Sequence, residues 1–311
     1  MSRTLKIGTR KSPLALWQAE HVKAVLEATH ADLRVELVKV VTKGDKILDV
    51  PLAKVGGKAL FVKEIEDQLL NGEIDLAVHS MKDVPTVLPE GLGLVATSLR
   101  ADPRDAFVAR DPAATPTVAS LPEGARVGTS SLRRSVQLLS ERPDLVIVPV
   151  RGNVGTRLSK LEADDLACVI LACAGLDRLE EGDKITERIA PETMLPAIGQ
   201  AALGLEARLD DDVTRELIAV LHDEETHDCV AAERAFLTRL EGSCQVPIGG
   251  YALIEEGRLW MRSLVGTLDG SKILRAEARG DRADAEALGV SLAEKLLSEG
   301  ADAILAEIFD T

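Results

Sequence analysis

A chain of 311 residues exceeds what one hydrophobic core usually serves, so two or three domains are expected. Its hydrophobic fraction is 46%, with no apolar run near the roughly 18 residues a transmembrane helix needs, which argues against a membrane-spanning protein. A net charge of −14 and a complement of two Trp, one Tyr and four Phe argue against nucleic-acid binding, which needs a basic face and stacking platforms.

The N-terminus, MSRTLKIGTR, runs straight into a short strand pattern (TLKIGT) without an apolar stretch or small-residue cleavage site, so the expected location is the cytoplasm. Ser12-Pro13 then reads as N-cap and first helical position of PLALWQAEHVKAVLEA. RVELVKVV is a second strand, GKALFVKEIEDQLLNG a helix closed by Gly72, and IDLAVHS a third strand. The stretch 100–124, rich in Pro, Ala and Asp, reads as a boundary, and the chain is cut near residue 100. Beyond it the alternation resumes: ARVGTSS leads into helix LRRSVQLLSER and LVIVPVRG into NVGTRLSKL, while LACVILACAG suits a strand buried on both faces. After LPAIGQAALGLEAR and the acidic run Asp210–Asp212 the pattern changes to a helix (EETHDCVAAERAFLTRLEG), three alternating strands (GYALI, RLWMRSLVG, KILRAEARG) and a closing helix from about Ala283 to Ser298, a small α+β domain.

The charge is uneven. Residues 122–160 hold seven bases (Arg126, Arg133, Arg134, Arg142, Arg151, Arg157, Lys160) against three acids, whereas 201–228 and 281–311 are strongly acidic. One basic segment in an acidic protein suggests a small anionic ligand focused into a site. Five polar signatures fall where a strand gives way to a helix: GTRKS (8–12), VGGK (55–58), HSMKDVP (79–85), GTSSLRR (128–134) and RGNVGTR (151–157). Open sheets bind ligands there, and backbone N–H groups beside Arg or Lys suit carboxylates or phosphates. Each motif read alone is better taken as a helix cap with a solvated cation; the recurrence is what favours a site. Arginine in place of lysine favours bidentate recognition of carboxylates.

Asp83, between Lys82 and Val84-Pro85, is the carboxylate of this set and reads either as a cation-stabilising or proton-accepting group or as a turn residue. The histidines lack ligand spacing, so no metal site is expected. Four cysteines without regular spacing make no disulfide framework. Cys168, Cys173 and Cys229 fall in apolar patterns and read as packing. Cys244, in EGSCQVPIGGY, sits in a small-residue turn, as a reactive thiol or as an incidental loop residue.

VTKGDKILDVPLAKVGGKALFVKEIE, DLAVHSMKDVP, VGTSSLRRSVQL, VRGNVGTRLSKL and ERAFLTRLEGSCQVPIGGYA together resemble the porphobilinogen deaminase family across nearly the whole chain. The resemblance implies a transferase that joins four porphobilinogen molecules head to tail with loss of ammonia, giving hydroxymethylbilane on a dipyrromethane cofactor held by a thioether to Cys244. It implies two doubly wound, periplasmic-binding-protein-like α/β domains and a small α+β C-terminal domain: 1–99 with 200–219, 100–199, and 220–311. Asp83 would face pyrrole N–H groups as the catalytic carboxylate. Lys82, Asp83, Ser80, Thr129, Ser130, Arg133, Arg134 and Gly152 would join Cys244 around the cofactor. Arg10, Ser12, Lys54, Lys58, Phe61, Arg151, Arg157, Arg178 and Gln200 would meet the substrate, whose acetate and propionate groups give an acidic protein a reason for these cations. One departure is Ser243, where the family usually has glycine before the cysteine; it bears on loop geometry. The partner implied is the small-molecule substrate porphobilinogen, with no nucleic acid, no membrane and a monomeric protein. The rival readings are a two-lobed solute-binding protein without chemistry and a thiol-dependent hydrolase; against the second, no histidine lies in a motif beside Cys244.

Overall fold

The computed structural model describes residues 3–42, 62–241 and 246–309. The chain divides into two compact units, Met1–Ala101 with Ala202–His227, and Asp102–Ala201 with Asp228–Thr311. Lys54, Lys58, Phe61 and Cys244 lie outside the described residues.

In the first unit, β1 (Arg3–Arg10) leads through Ser12 into α1 (Pro13–Thr29), and the Ser12 Oγ accepts from the Ala15 amide, as the Ser-Pro start predicts. β2 (Leu33–Val40), α2 (Lys63–Leu70), β3 (Leu76–Ser80) and β4 (Leu92–Thr97) follow. The fifth strand is β10 (Leu203–Arg208), which returns after the second sheet and lies antiparallel between β3 and β4 in the order β2-β1-β3-β10-β4. The period-2 alternation of a strand sorts its residues between the two faces. Leu5, Ile7, Leu76, Val78, Leu203 and Leu205 pack with Ala19, Val22 and Leu26 of α1. Ile74 and Ala77 pack with Ile65 and Leu69 of α2. Helices on both faces make the sheet doubly wound. The returning chain continues into α6 (Asp212–Ile218), whose first turn is capped by Asp211.

The second unit repeats this layout. β5 (Asp105–Ala109), β6 (Arg126–Gly128), α3 (Leu132–Glu141), β7 (Val146–Val148), α4 (Val154–Ala163), β8 (Cys168–Ala172), α5 (Cys173–Arg178) and β9 (Glu187–Ile189) form a sheet of order β7-β6-β8-β5-β9. β6 is parallel to β7 and β8, and β5 is antiparallel to β8 and β9. Phe107 and Ala109 pack on one face with Leu138 of α3, and Ala106 and Val108 on the other with Cys173 and Leu176 of α5. The stretch read as a boundary therefore contains a buried central strand. LACVILACAG, read as one strand, splits at Cys173 into β8 and the first turn of α5.

Within the same unit a three-stranded antiparallel sheet, β11 (Ile248–Glu255), β12 (Arg258–Gly266) and β13 (Ile273–Gly280), is covered by α7 (Glu224–Arg239), α8 (Ala285–Ser298) and α9 (Ala301–Phe309). Phe236, Met261, Val265 and Leu292 are central to its core. α7 and α8 approach so closely at Gly289 that a Cβ there would stand 2.0 Å from the Ala232 carbonyl oxygen. That atom belongs to backbone and cannot swing aside, so Gly289→Ala should lose about 3 kcal/mol or more despite the better helix propensity of alanine. A urea midpoint equal to or above that of the parent would contradict this packing.

Candidate active site

Strand ends on either side of β1/β3 and of β6/β8, where the order of strands reverses, are where a doubly wound sheet presents ligand groups. In the first unit Arg10 ends β1 and Ser80 ends β3. A short 3-10 turn, Met81–Asp83, follows. Its backbone is fixed at both ends: the Met81 amide donates to the Ala202 carbonyl at 3.0 Å and the Val84 amide to the Met81 carbonyl at 3.1 Å. Met81 is buried beneath it while Asp83 is exposed at its tip and Lys82 is half-buried. Gln18 Nε2 donates to Ser80 Oγ at 2.8 Å, so α1 holds the end of β3. The sequence thus places a carboxylate on a rigid turn at a strand end, a geometry that keeps a reacting group in one orientation.

In the second unit, Thr129 follows β6, and its amide donates to the Val148 carbonyl. Ser130 Oγ donates to the Val150 carbonyl at 2.8 Å. Gly152 has φ +106° and its Cβ position is filled by Thr156, so glycine is required there on both grounds. Asn153 caps α4 by accepting from the Thr156 amide at 2.9 Å, and Arg157 Nε reaches back to the Gly152 carbonyl. Arg151 is half-buried beside this turn. Arg178 Nη2 donates to the Ala201 carbonyl at 2.7 Å, and burial pushes its guanidinium down to about 10.

Arg133, Arg134 and Gln200 converge on Asp105, a residue the sequence reading missed. Arg133 Nη1 and Arg134 Nη2 stand 2.6 and 2.7 Å from its carboxylate oxygens, and Gln200 Nε2 is 3.0 Å away. The same three side chains also donate to the Leu195, Ile170 and Pro103 carbonyls. Asp105 is fully buried. Burial alone would favour its neutral form, but the Arg133 and Arg134 guanidinium groups overcome this and hold the carboxyl far below the usual carboxylate range. Both arginines therefore point inward rather than standing as open cations. The available signal was a charged residue opening the short apolar run DAFVA, masked by the neighbouring prolines and aspartates.

Cys168, Cys173 and Cys229 are buried, and burial pushes the first two thiols up to about 12, which leaves them protonated and inert. Among the described residues no group of His, Cys, Asp and Glu could hold a metal ion, and no helix is long and apolar enough to cross a membrane.

The family model described as porphobilinogen deaminase, dipyromethane cofactor binding domain, matches residues 5–216, and that described as porphobilinogen deaminase, C-terminal domain, matches residues 227–298. Similar solved structures include a TRAP periplasmic solute binding protein from Desulfovibrio salexigens (13% identity, covering 73% of this chain and 74% of that one, TM-score 0.44). The methionine binding protein MetQ is similar at 14% identity, with 74% and 94% covered and a TM-score of 0.43. The alkanesulfonate-binding protein SsuA from Xanthomonas axonopodis pv. citri, bound to MOPS, is similar at 14% identity, with 75% and 73% covered and a TM-score of 0.40. The family matches define a transferase of tetrapyrrole biosynthesis that works with a dipyrromethane cofactor. The chain belongs to the porphobilinogen deaminase family, and its activity is that of a hydroxymethylbilane synthase acting on porphobilinogen.

The residues present fit a carboxylate-bearing cofactor. Arg133 Nε is a buried donor with no partner among the described residues, and the first-turn amides of α3 find no acceptor in the Ser131 side chain that precedes them. Donors left over in a cationic setting suit an anion. Asp105→Asn should expose the arrangement: removing one charge leaves two buried guanidinium groups uncompensated, at a cost of about 3–5 kcal/mol. Because the folded-state value is depressed, the parent keeps this stabilisation at neutral pH and loses it only in strong acid, where the two proteins should converge. Equal denaturant midpoints at pH 7 would contradict it.

Proposed function

We propose that the chain works in three parts, one for each sheet, and that the reacting group is the Asp83 carboxylate. The parts are 1–99 with 200–219, 100–199, and 220–311. The first offers Arg10, Ser12, Lys54, Lys58 and Phe61 to incoming porphobilinogen. The second offers Thr129, Ser130, Arg133, Arg134 and Gly152, with Lys82, Ser80 and Asp83 of the first, to the cofactor. Arg151, Arg157, Arg178 and Gln200 complete the contacts to substrate. Cys244 of the third part is the covalent anchor and does not turn over. When bound, dipyrromethane supplies the terminal pyrrole that extends and a set of carboxylates by which the growing chain is held.

Asp83 supplies the electrostatics. Loss of ammonia from the aminomethyl group of porphobilinogen leaves a cation delocalised over the ring and its N–H, and a fixed carboxylate against that N–H stabilises the charge as it forms. The same carboxylate would serve the positive charge that passes to the attacking terminal pyrrole once the bond forms, until that ring gives up its α-proton. A group already oriented contributes most in the transition state, since no reorganisation is needed at the moment of reaction. The observation that carries this reading is the Met81–Asp83 turn, whose backbone is tied to Ala202 while its aspartate remains exposed. The protein is taken to be a cytoplasmic monomer whose partner is porphobilinogen rather than membrane or nucleic acid; its net charge of −14 speaks against the last.

Asp83→Asn keeps size and an acceptor but removes the charge. The expected result is a cofactor-loaded protein by intact mass that still takes up porphobilinogen, with kcat lower by about two powers of ten. Turnover within about threefold of the parent would return Asp83 to the role of a turn residue. Cys244→Ser should show no covalent mass excess and no activity, because a hydroxyl is a far poorer nucleophile than a thiolate; a parent protein that is active yet unmodified would sink the anchor assignment.

A further inference from the structure

Three ionisable side chains that the chemistry above does not use are buried together in the first unit. Glu66 of α2 is 4% exposed, His79 of β3 6% and Glu206 of β10 0%. His79 Nε2 lies 2.8 Å from Glu206 Oε2, and Glu206 Oε1 is buried with no partner among the described residues. Burial first, and the Glu206 carboxylate second, push the Glu66 carboxyl up to about 7. Stability alone does not call for such a cluster, since replacing buried charged groups by apolar residues of similar volume is often neutral or stabilising.

Its position suggests a different use. α2 begins at Lys63, directly after the segment that holds Lys54, Lys58 and Phe61, and its residues Ile65 and Leu69 are packed against the sheet. His79 immediately precedes Ser80, and the Met81–Asp83 turn follows. Gln18 grips Ser80 from the α1 face, and the Glu66–Glu206–His79 cluster occupies the α2 face at the adjacent residue. The last two residues of β3 are thus held from both sides. Other charged groups around the cluster are Lys63, Glu64 and Asp67 on α2 and Arg208 on β10. Lys6 and Arg10 lie at the alternate positions of β1 that share this face with Gly8. β4 brings none. Arg208 is committed to the Leu69 and Ile74 carbonyls and to Asp75 and Asp211.

We propose that Glu66 is a positioning residue for Asp83: its buried carboxyl meets that of Glu206, completes a Glu66–Glu206–His79 chain, and seats α2 on the strand end that delivers Ser80 and Asp83. An ionised Glu66 would place a second carboxylate beside Glu206 in a site with a single imidazole, and α2 would be pushed from the sheet. The inference rests on Asp83 being the reacting carboxylate.

The test compares Glu66→Ala, Glu66→Gln and, as a packing control on the same helix, Ile65→Val, all as holoenzymes. Glu66→Ala should lower kcat about tenfold, the scale of a small misplacement of a reacting group, with KM and cofactor mass unchanged. Glu66→Gln keeps a donor without a charge and should restore most of that loss. Ile65→Val should lower the melting temperature yet leave kcat, read well below melting, within about twofold of the parent. A raised acid value in the folded state stabilises at low pH and is lost as pH rises, so the melting temperature of the parent should fall relative to that of Glu66→Gln between about pH 4.5 and about pH 7. Glutamine as damaging as alanine, a kcat loss in Ile65→Val in proportion to its melting temperature, or parallel pH dependences in parent and Glu66→Gln would each overturn the proposal. An active Asp83→Asn protein would instead overturn the reading beneath it, whereas an inactive Asp83→Asn beside a fully active Glu66→Ala would overturn this inference alone.

Discussion

The architecture of the first unit depends on one strand that arrives late. β10 enters antiparallel between β3 and β4 after the chain has built the whole second sheet, and it and the residue before it supply several of the ties that hold the end of β3 and the Met81–Asp83 turn. Ala202 supplies the carbonyl for the Met81 amide, Leu203 pairs with Ser80, and Glu206 meets His79. The carbonyl that fixes the Met81 amide thus lies more than a hundred positions along the chain, so this turn takes its tied form only with the returning segment in place. Contacts of this span carry a large closure entropy, which the buried apolar faces of β10 (Leu203, Leu205, Ala207) must offset.

An acidic protein that handles polyanions has to keep its cations from being consumed by its own carboxylates. In the second unit the division is visible. Arg142 pairs with Asp144 at 2.6 Å, and Arg133 and Arg134 are bound to Asp105, so much of the local positive charge along 122–160 is neutralised by partners inside the protein. Arg178 also donates to a backbone carbonyl, that of Ala201. Burial of Asp105 with two guanidinium groups fixes both arginines in planar, multiply bonded poses, the condition under which a remaining donor such as Arg133 Nε has a defined direction.

Much of the fold was legible because its signals are local. Ser12-Pro13 and Asn153 announce their helices, and the alternating strands of the last sheet sit where their pattern places them. The elements that escaped are those without a local signature. β5 is five residues long and preceded by Asp102-Pro103, too short for periodicity to outweigh the turn composition around it. β4 begins Leu-Gly-Leu and drew no strand assignment, and α9 follows α8 after Glu299-Gly300, beyond the helix expected to close the chain near Ser298. The site divides in the same way. Strand-end motifs could be read as donors to an anion, but Asp105, Glu66 and Glu206 act through partners 28 to 140 positions away, and spacing along the chain carries no trace of those pairings. Charge counting likewise registered Arg133 and Arg134 as local positive charge without the Asp105 carboxylate that both of them also bond.

The central claim is that an exposed aspartate on a locked turn faces the reacting pyrrole. A crystal structure of the holoenzyme with porphobilinogen bound tests it most directly. The account predicts an Asp83 carboxylate oxygen about 3 Å from a pyrrole nitrogen at the terminal ring, with the Met81 amide still on the Ala202 carbonyl. An Asp83 side chain turned to solvent, with another group or only water on the pyrrole N–H, would contradict it.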